Sequence, residues 1–172
     1  KSDFEAVEPV RTDPFFKSAL GIKQSPSSAR LRQRFDEDAQ GLTPLLDDAS
    51  VEFLQSVEAP VSPLAMGHVA LDMDVFPMDN SQTRKEGVSY TYKGYDGYAP
   101  IAAYLGQEGW CLGCELRPGS QHANNGFLDT LKRVLPRARS LTDKPILLRL
   151  DSAHDARDNR DFLREQDQID FL

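Results

Sequence analysis

The chain has 172 residues, 40% hydrophobic and 27% charged, an ordinary globular composition long enough for one large domain or two small ones. No apolar run approaches the ~20 residues a membrane span needs, and two cysteines are too few for a disulfide scaffold, which points to a reducing, cytoplasmic setting. A net charge of −7 has the wrong sign for a protein that holds nucleic acid by overall charge, although acidic centres neutralised by cations escape that rule.

The first residues, "KSDFEAVEP", lack an initiator Met and a signal-peptide pattern and read as the interior of a longer chain. The first third predicts helices. Asp13 is an N-cap with Pro14 at the first helical position and Gly21 as the stop. A second helix starts in the Ser-rich stretch before Ala29, carries Leu31, Phe35 and Ala39 on one stripe, and ends at Gly41. A third starts at Thr43-Pro44 and presents a wide apolar face of Leu45, Leu46, Ala49, Phe53, Leu54 and Val57. Pro60, Pro63 and Gly67 then mark a boundary, giving a helical region over 1–60 and a second region over 64–172.

Strands follow. The first runs from His68 to about Phe76, and "VSYTYKGYDGYAPIAAYLGQEGWCLGCELRPGS" reads as strand, turn, strand, with the hairpin at Gly106–Gly109. Phe127, Leu128, Leu131, Val134, Leu135, Ala138 and Leu141 keep a helical period, with Pro136 predicting a kink or early end. "KPILLRLDSAHD" is a buried strand ending in an acid, then a short helix, then the start of another strand at "IDFL". A hairpin beside the first strand and a crossover helix to a strand parallel with it make a mixed α/β sheet with flanking helices, the ribonuclease-H-like order.

Two acids interrupt the first strand. Side chains alternate along a strand, so Asp72 and Asp74 share a face, where Asp is disfavoured and costly to bury unpaired. Asp151 stands where "ILLRL" ends, and the carboxyl ends of strands in open sheets are where ligands bind. If the two strands are parallel neighbours, Asp74 and Asp151 converge, and their repulsion calls for a hard divalent cation such as Mg²⁺ or Mn²⁺. The alternative is that these acids cap loops or meet Arg149 and Lys144.

The ordered series "LDMDVFPMDNSQTRKEGVSYTYKGYDGYAPIAAYLGQEGW", "CELRPGSQHANNG" and "PILLRLDSAHD" resembles the catalytic core of bacterial insertion-sequence transposases of the DDE type, DDE domain group 1. "DPFFKSALGIKQSPSSARLRQRFDEDA" resembles the region before that core, so the likeness covers nearly the whole chain. The resemblance implies a ribonuclease-H-like fold and cut-and-paste transposition, with metal-dependent attack of water and then of a freed 3′-hydroxyl on DNA phosphodiesters. It implies Mg²⁺ or Mn²⁺ as cofactor, transposon-end DNA and a homodimer in the synaptic complex as partners, and a bacterial, nucleoid-associated location. The first family acid falls on Asp74, with Asp72 as its rival, and the second on Asp151; all three are candidate metal ligands. The third, a Glu within a Tyr–Arg–Glu–Lys signature, has no counterpart here. The expectation is therefore a fragment or shortened copy, incomplete at its C-terminal end and inactive alone, or a non-catalytic, DNA-binding or inhibitory derivative.

Several other features admit two readings. Cys111 and Cys114 form a C-x-x-C that reads as two reduced strand cysteines rather than a redox pair. Arg30 and Arg34 share a helix face suited to phosphates, yet Arg32–Asp36 and Arg34–Asp38 can pair internally at the same spacing. Lys85 and Lys93 lie among Tyr90, Tyr92, Tyr95 and Tyr98, a mix that suits stacked bases and phosphates but also an aromatic core. His122 follows a strand where a loop could meet DNA, His154 lies near Asp151, and Lys132, Arg133, Arg137 and Arg139 form a basic helix face suited to a DNA groove.

Overall fold

A computed structural model describes the chain from Ser2 to Leu172, with side chains from Phe4 onward. Lys1, the first residue of the expected region 1–60, lies outside the described residues. The elements are α1 (Ser2–Glu5), α2 (Pro14–Ala19), α3 (Ser28–Ser56), β1 (Val69–Val75), β2 (Met78–Asp79), β3 (Ser89–Tyr90), β4 (Asp96–Tyr98), β5 (Ile101–Leu105), β6 (Trp110–Glu115), α4 (Phe127–Leu141), β7 (Ile146–Arg149), α5 (Arg157–Arg164) and β8 (Ile169–Phe171). Short 3₁₀ turns cover Glu8–Val10 and Ser152–His154. The chain falls into two compact units, Lys1–Leu46 and Asp47–Leu172, divided inside α3.

In the first unit, Asp13 caps α2 as its sequence demands, accepting hydrogen bonds from the N–H groups of Phe15 and Phe16. Arg32 donates to Glu5 and lies over the Phe4 ring, so it answers a neighbouring helix rather than Asp36. The expected stop at Gly41 does not occur: α3 is one helix over Ser28–Ser56, with Gly41 and Pro44 inside it. Gly41 is absent from the residues with positive φ, and the Thr43 hydroxyl donates back to the Ala39 carbonyl within the helix instead of capping a new one. Nor is the predicted apolar face of 45–57 buried. Only Val51 and Leu54 are, while Leu45, Leu46, Phe53 and Val57 stay exposed.

The second unit is built on the alternation within β1. Val69, Leu71, Met73 and Val75 point into the core, leaving Asp72 and Asp74 on the opposite face. The sheet has five strands in the order β6-β5-β1-β7-β8. β5 pairs antiparallel with both β1 and β6, whereas β7 pairs parallel with β1 and with β8. The hairpin turns at Gly106 and Gly109, both in the left-handed region where glycine carries no Cβ penalty. This mixed α/β sheet is the ribonuclease-H-like arrangement expected from the order of elements. A crossover through α4 joins β6 to β7. Phe127, Leu131, Val134, Leu135 and Ala138 bury one face of α4 against the sheet, and that packing carries the helix through Pro136 to Leu141, past the expected early end.

A second, three-stranded ribbon in the order β2-β4-β3 joins Met78–Asp79 to the aromatic stretch 88–100, where no such ribbon is expected from the sequence. Its backbones approach so closely that a Cβ on Gly97 would lie 2.0 Å from the Met78 carbonyl oxygen. A Cβ on Gly119 would lie 2.2 Å from the Ser89 carbonyl oxygen, which locks the loop after β6 onto the ribbon.

Candidate active site

Parallel pairing of β1 and β7 runs from Val69–Ile146 to Asp72–Arg149, so both strands present their carboxyl ends at the same edge of the sheet. Asp74 lies two residues past the last pair on β1, and Asp151 two residues past Arg149 on the other strand. Each is held locally. Asp74 accepts from the N–H of Val75 at 2.7 Å, and Asp151 caps the 3₁₀ turn by accepting from the N–H of Ala153 at 3.0 Å. The two carboxylates and the His154 imidazole each offer an atom within 4.8 Å of the others.

The acids open onto a cleft of about 370 Å³. Tyr90 and Tyr92 of the ribbon form one wall and the loop Gly119–Ala123 another. Both tyrosine rings are mostly exposed, and the Tyr92 hydroxyl donates to the Val75 carbonyl at 3.5 Å. Partial burial, reinforced by the charges of Asp74 and Asp151, holds the Tyr92 phenol above its ordinary pKa. Asp74 and Asp151 are the only charged carboxylates of the lining, and among the described residues it contains neither lysine nor arginine. Two carboxylates meeting without a protein cation form a donor set of hard oxygens, and that set fits a divalent ion such as Mg²⁺ or Mn²⁺.

Asp72 lies elsewhere on the same face. Its carboxylate takes both Nε and Nη2 of Arg149 at 2.5 Å, a bidentate pair that holds the guanidinium firmly protonated. Of the expected ligands, Asp74 and Asp151 are therefore together and Asp72 is engaged by an arginine. His122 lines the cleft, with Nδ1 accepting from the Asn124 N–H at 3.2 Å. Lys93 is exposed, its ammonium 5.2 Å from the centre of the Tyr92 ring. Lys85 is exposed on the loop before β3, and Arg30 and Arg34 are exposed on the part of α3 that belongs to the first unit.

The basic face expected on 132–139 is spoken for. Arg133 donates to Glu115, Arg137 donates to Asp47 and Asp48, Arg139 donates to the carbonyls of Lys144 and Asp167, and Lys132 lies over the Phe162 ring. These contacts stabilise α4 in place, and a DNA groove there would have to compete with them. Cys111 and Cys114 are free thiols on β6, and burial raises the pKa of Cys114.

Two groups carried no signal in the sequence. Arg117 is 2% exposed, and each of its guanidinium nitrogens has a partner: it donates to Glu115 at 3.0 Å, to the Ala123 carbonyl at 3.2 Å and to the Thr130 hydroxyl at 2.9 Å. It thereby ties the cleft loop to β6 and α4. Asn159, also buried, donates both to the His154 carbonyl and to Asn124 Oδ1, joining the Asp151 turn to the same loop. Neither residue type predicts burial, and only tertiary pairing makes it tolerable.

The whole chain, residues 1–172, matches the family described as transposase DDE domain group 1. No curated protein matches it. Among solved structures it is similar to the Mos1 transposase paired-end complex with left transposon end, with a TM-score of 0.40 and 16% identity over 99% of this chain and 57% of that one. It is also similar to the Mos1 strand transfer complex, with a TM-score of 0.37 and 14% identity over 99% of this chain and 56% of that one. The chain thus spans little more than half the length of either. No helix among the described residues is long and apolar enough to cross a membrane.

Proposed function

The chain belongs to the transposase DDE domain group 1 family, and from that premise we propose that it is the metal-binding part of a cut-and-paste DNA transposase. Asp74 and Asp151 would be the first two acids of the catalytic set. The observation that carries this reading is their convergence, from parallel strands, at a cleft without lysine or arginine. Mg²⁺ or Mn²⁺ bound there would supply Lewis acidity to a phosphodiester and to the attacking water or 3′-hydroxyl.

The residues around it would position the DNA. The exposed rings of Tyr90 and Tyr92 offer stacking surfaces beside the acids, and Lys93 and His122 place a cation and a hydrogen-bonding ring at the rim for phosphates. Lys85, Arg30 and Arg34 would add phosphate contacts farther out. The Asp72 carboxylate is already paired with Arg149, which favours Asp74 as the ligand that β1 would supply. The region 1–60 would bind DNA and 64–172 would be the catalytic core, working as a homodimer on paired transposon ends and, in a bacterial cell, at the nucleoid. Two carboxylates hold a hard cation less well than three, so this stretch alone would cleave nothing.

An excision assay with the whole transposase on its element tests the reading. Asp74→Asn and Asp151→Asn should each abolish strand cleavage while end binding persists. Cleavage that survives either substitution contradicts it. A chain that binds element ends and blocks excision by an active transposase would instead be a non-catalytic inhibitor.

A further inference from the structure

His154 is the feature that the two-acid reading leaves unused. Its side chain has no solvent exposure, and neither Nδ1 nor Nε2 has a hydrogen-bond partner. A buried polar group without a partner costs free energy, and an imidazole with two such nitrogens is rare in a folded chain. Both nitrogens are therefore left available to a group that the chain itself does not supply.

The local backbone says where that group would lie. Asp151 caps the 3₁₀ turn Ser152–His154, and the N–H of His154 donates to the Asp151 carbonyl at 3.2 Å. The single turn between the cap and His154 brings the two side chains near one another. Nε2 of His154 stands 3.8 Å from Asp151 Oδ1. That separation is too long for a hydrogen bond. It falls within the roughly 3–4 Å that separates two donors around one ion when each bond is about 2.1 Å long. The ring is also held in place. It lies against Phe127 with centroids 4.1 Å apart, and its carbonyl accepts from the buried Asn159 at 2.8 Å. Such fixing of a side chain by its neighbours is what metal ligands receive from their surroundings.

We propose that His154, through Nε2, is a nitrogen ligand of the divalent ion held by Asp74 and Asp151, and that it biases the site toward Mn²⁺ over Mg²⁺. The inference rests on the metal-binding reading of the two acids. The bias follows from donor chemistry, because Mg²⁺ takes oxygen ligands almost exclusively, whereas imidazole suits first-row transition ions.

Electron spin-echo modulation of the Mn²⁺-loaded chain tests this without any assay of activity. The expected spectrum shows coupling to a directly bound ¹⁴N, which changes to ¹⁵N in protein labelled at histidine. The coupling should vanish in His154→Leu and persist in His122→Ala. Calorimetry should show the Mn²⁺ dissociation constant rising about tenfold in His154→Leu, with that for Mg²⁺ changing less than about twofold. Mn²⁺ bound without nitrogen coupling in the unsubstituted chain overturns the role of His154 while leaving the acids intact, and this result does not depend on any variant folding. Mn²⁺ binding unchanged by Asp74→Asn and Asp151→Asn overturns the acid site itself, and the His154 proposal with it.

Discussion

Two charged clusters share the loop that follows β6, and they follow opposite electrostatic rules. Around Arg117 every charge has a partner. The guanidinium is buried against Glu115, Thr130 and the Ala123 carbonyl, and Glu115 takes Arg133 as well. At the cleft, Asp74 and Asp151 bring like charges together in a lining with no lysine or arginine. The first arrangement stabilises the fold once formed. The second opposes it, and chains keep such unfavourable groupings where a ligand repays them.

Breaking the paired cluster should have the largest effect. Arg117→Ala takes one donor each from Glu115, the Ala123 carbonyl and the Thr130 hydroxyl and empties the space of a buried side chain, so a loss of about 3–5 kcal/mol is expected in chemical denaturation. A loss below about 1 kcal/mol would mean that the network is incidental. Next is the junction between loop and ribbon. Gly119→Ala places a Cβ against the carbonyl oxygens of Ser89 and Gly97, both backbone atoms that cannot swing aside. A loss of about 1–3 kcal/mol is expected, with faster amide exchange at Thr91 and Tyr98.

The unpaired cluster should respond in the opposite direction. Asp74→Asn removes one of two like charges while keeping the shape, and in metal-free buffer it should raise stability by about 0.5–1 kcal/mol. A clear decrease would show that Asp74 serves the fold rather than a ligand. The smallest effect concerns pH. Burial favours the protonated form of Glu115, but the Thr130 hydroxyl, the charge of Arg117 and the hydrogen bonds from Arg133 and Arg117 outweigh it and hold the carboxyl below its ordinary range. A lowered folded-state pKa contributes stability above the unfolded value of about 4.3, and this is lost as pH falls through the folded one. Melting temperature should therefore drop below about pH 4.5, and Glu115→Gln should flatten that drop.

Much of the sheet was legible because its signals are local. Alternation marks β1, glycines mark the hairpin at Gly106 and Gly109, and a sustained helical period marks α4. The ribbon was not, because strands of two or three residues carry no period and depend on close backbone approach at Gly97 and Gly119. Gly41 and Pro44 misled because Gly41 reads as a stop and Thr43-Pro44 as a fresh start, yet α3 continues through all three. At the site, two acids on one face of β1 look alike in the sequence. Only the register against β7 shows that Asp72 falls opposite Arg149 and Asp74 beyond it. His154 was legible as a neighbour of Asp151, but its burial and that of Asn159 were not, since they are decided by Phe127 and Asn124, which lie far along the chain.

Calorimetric titration with Mn²⁺ decides whether Asp74 and Asp151 form a metal site, comparing the unsubstituted chain with Asp74→Ala, Asp151→Ala and Asp72→Ala. One saturable site is expected, lost in the first two variants and retained in the third, where the acid removed is the partner of Arg149. Equal binding in all four proteins, or loss only with Asp72→Ala, would contradict it.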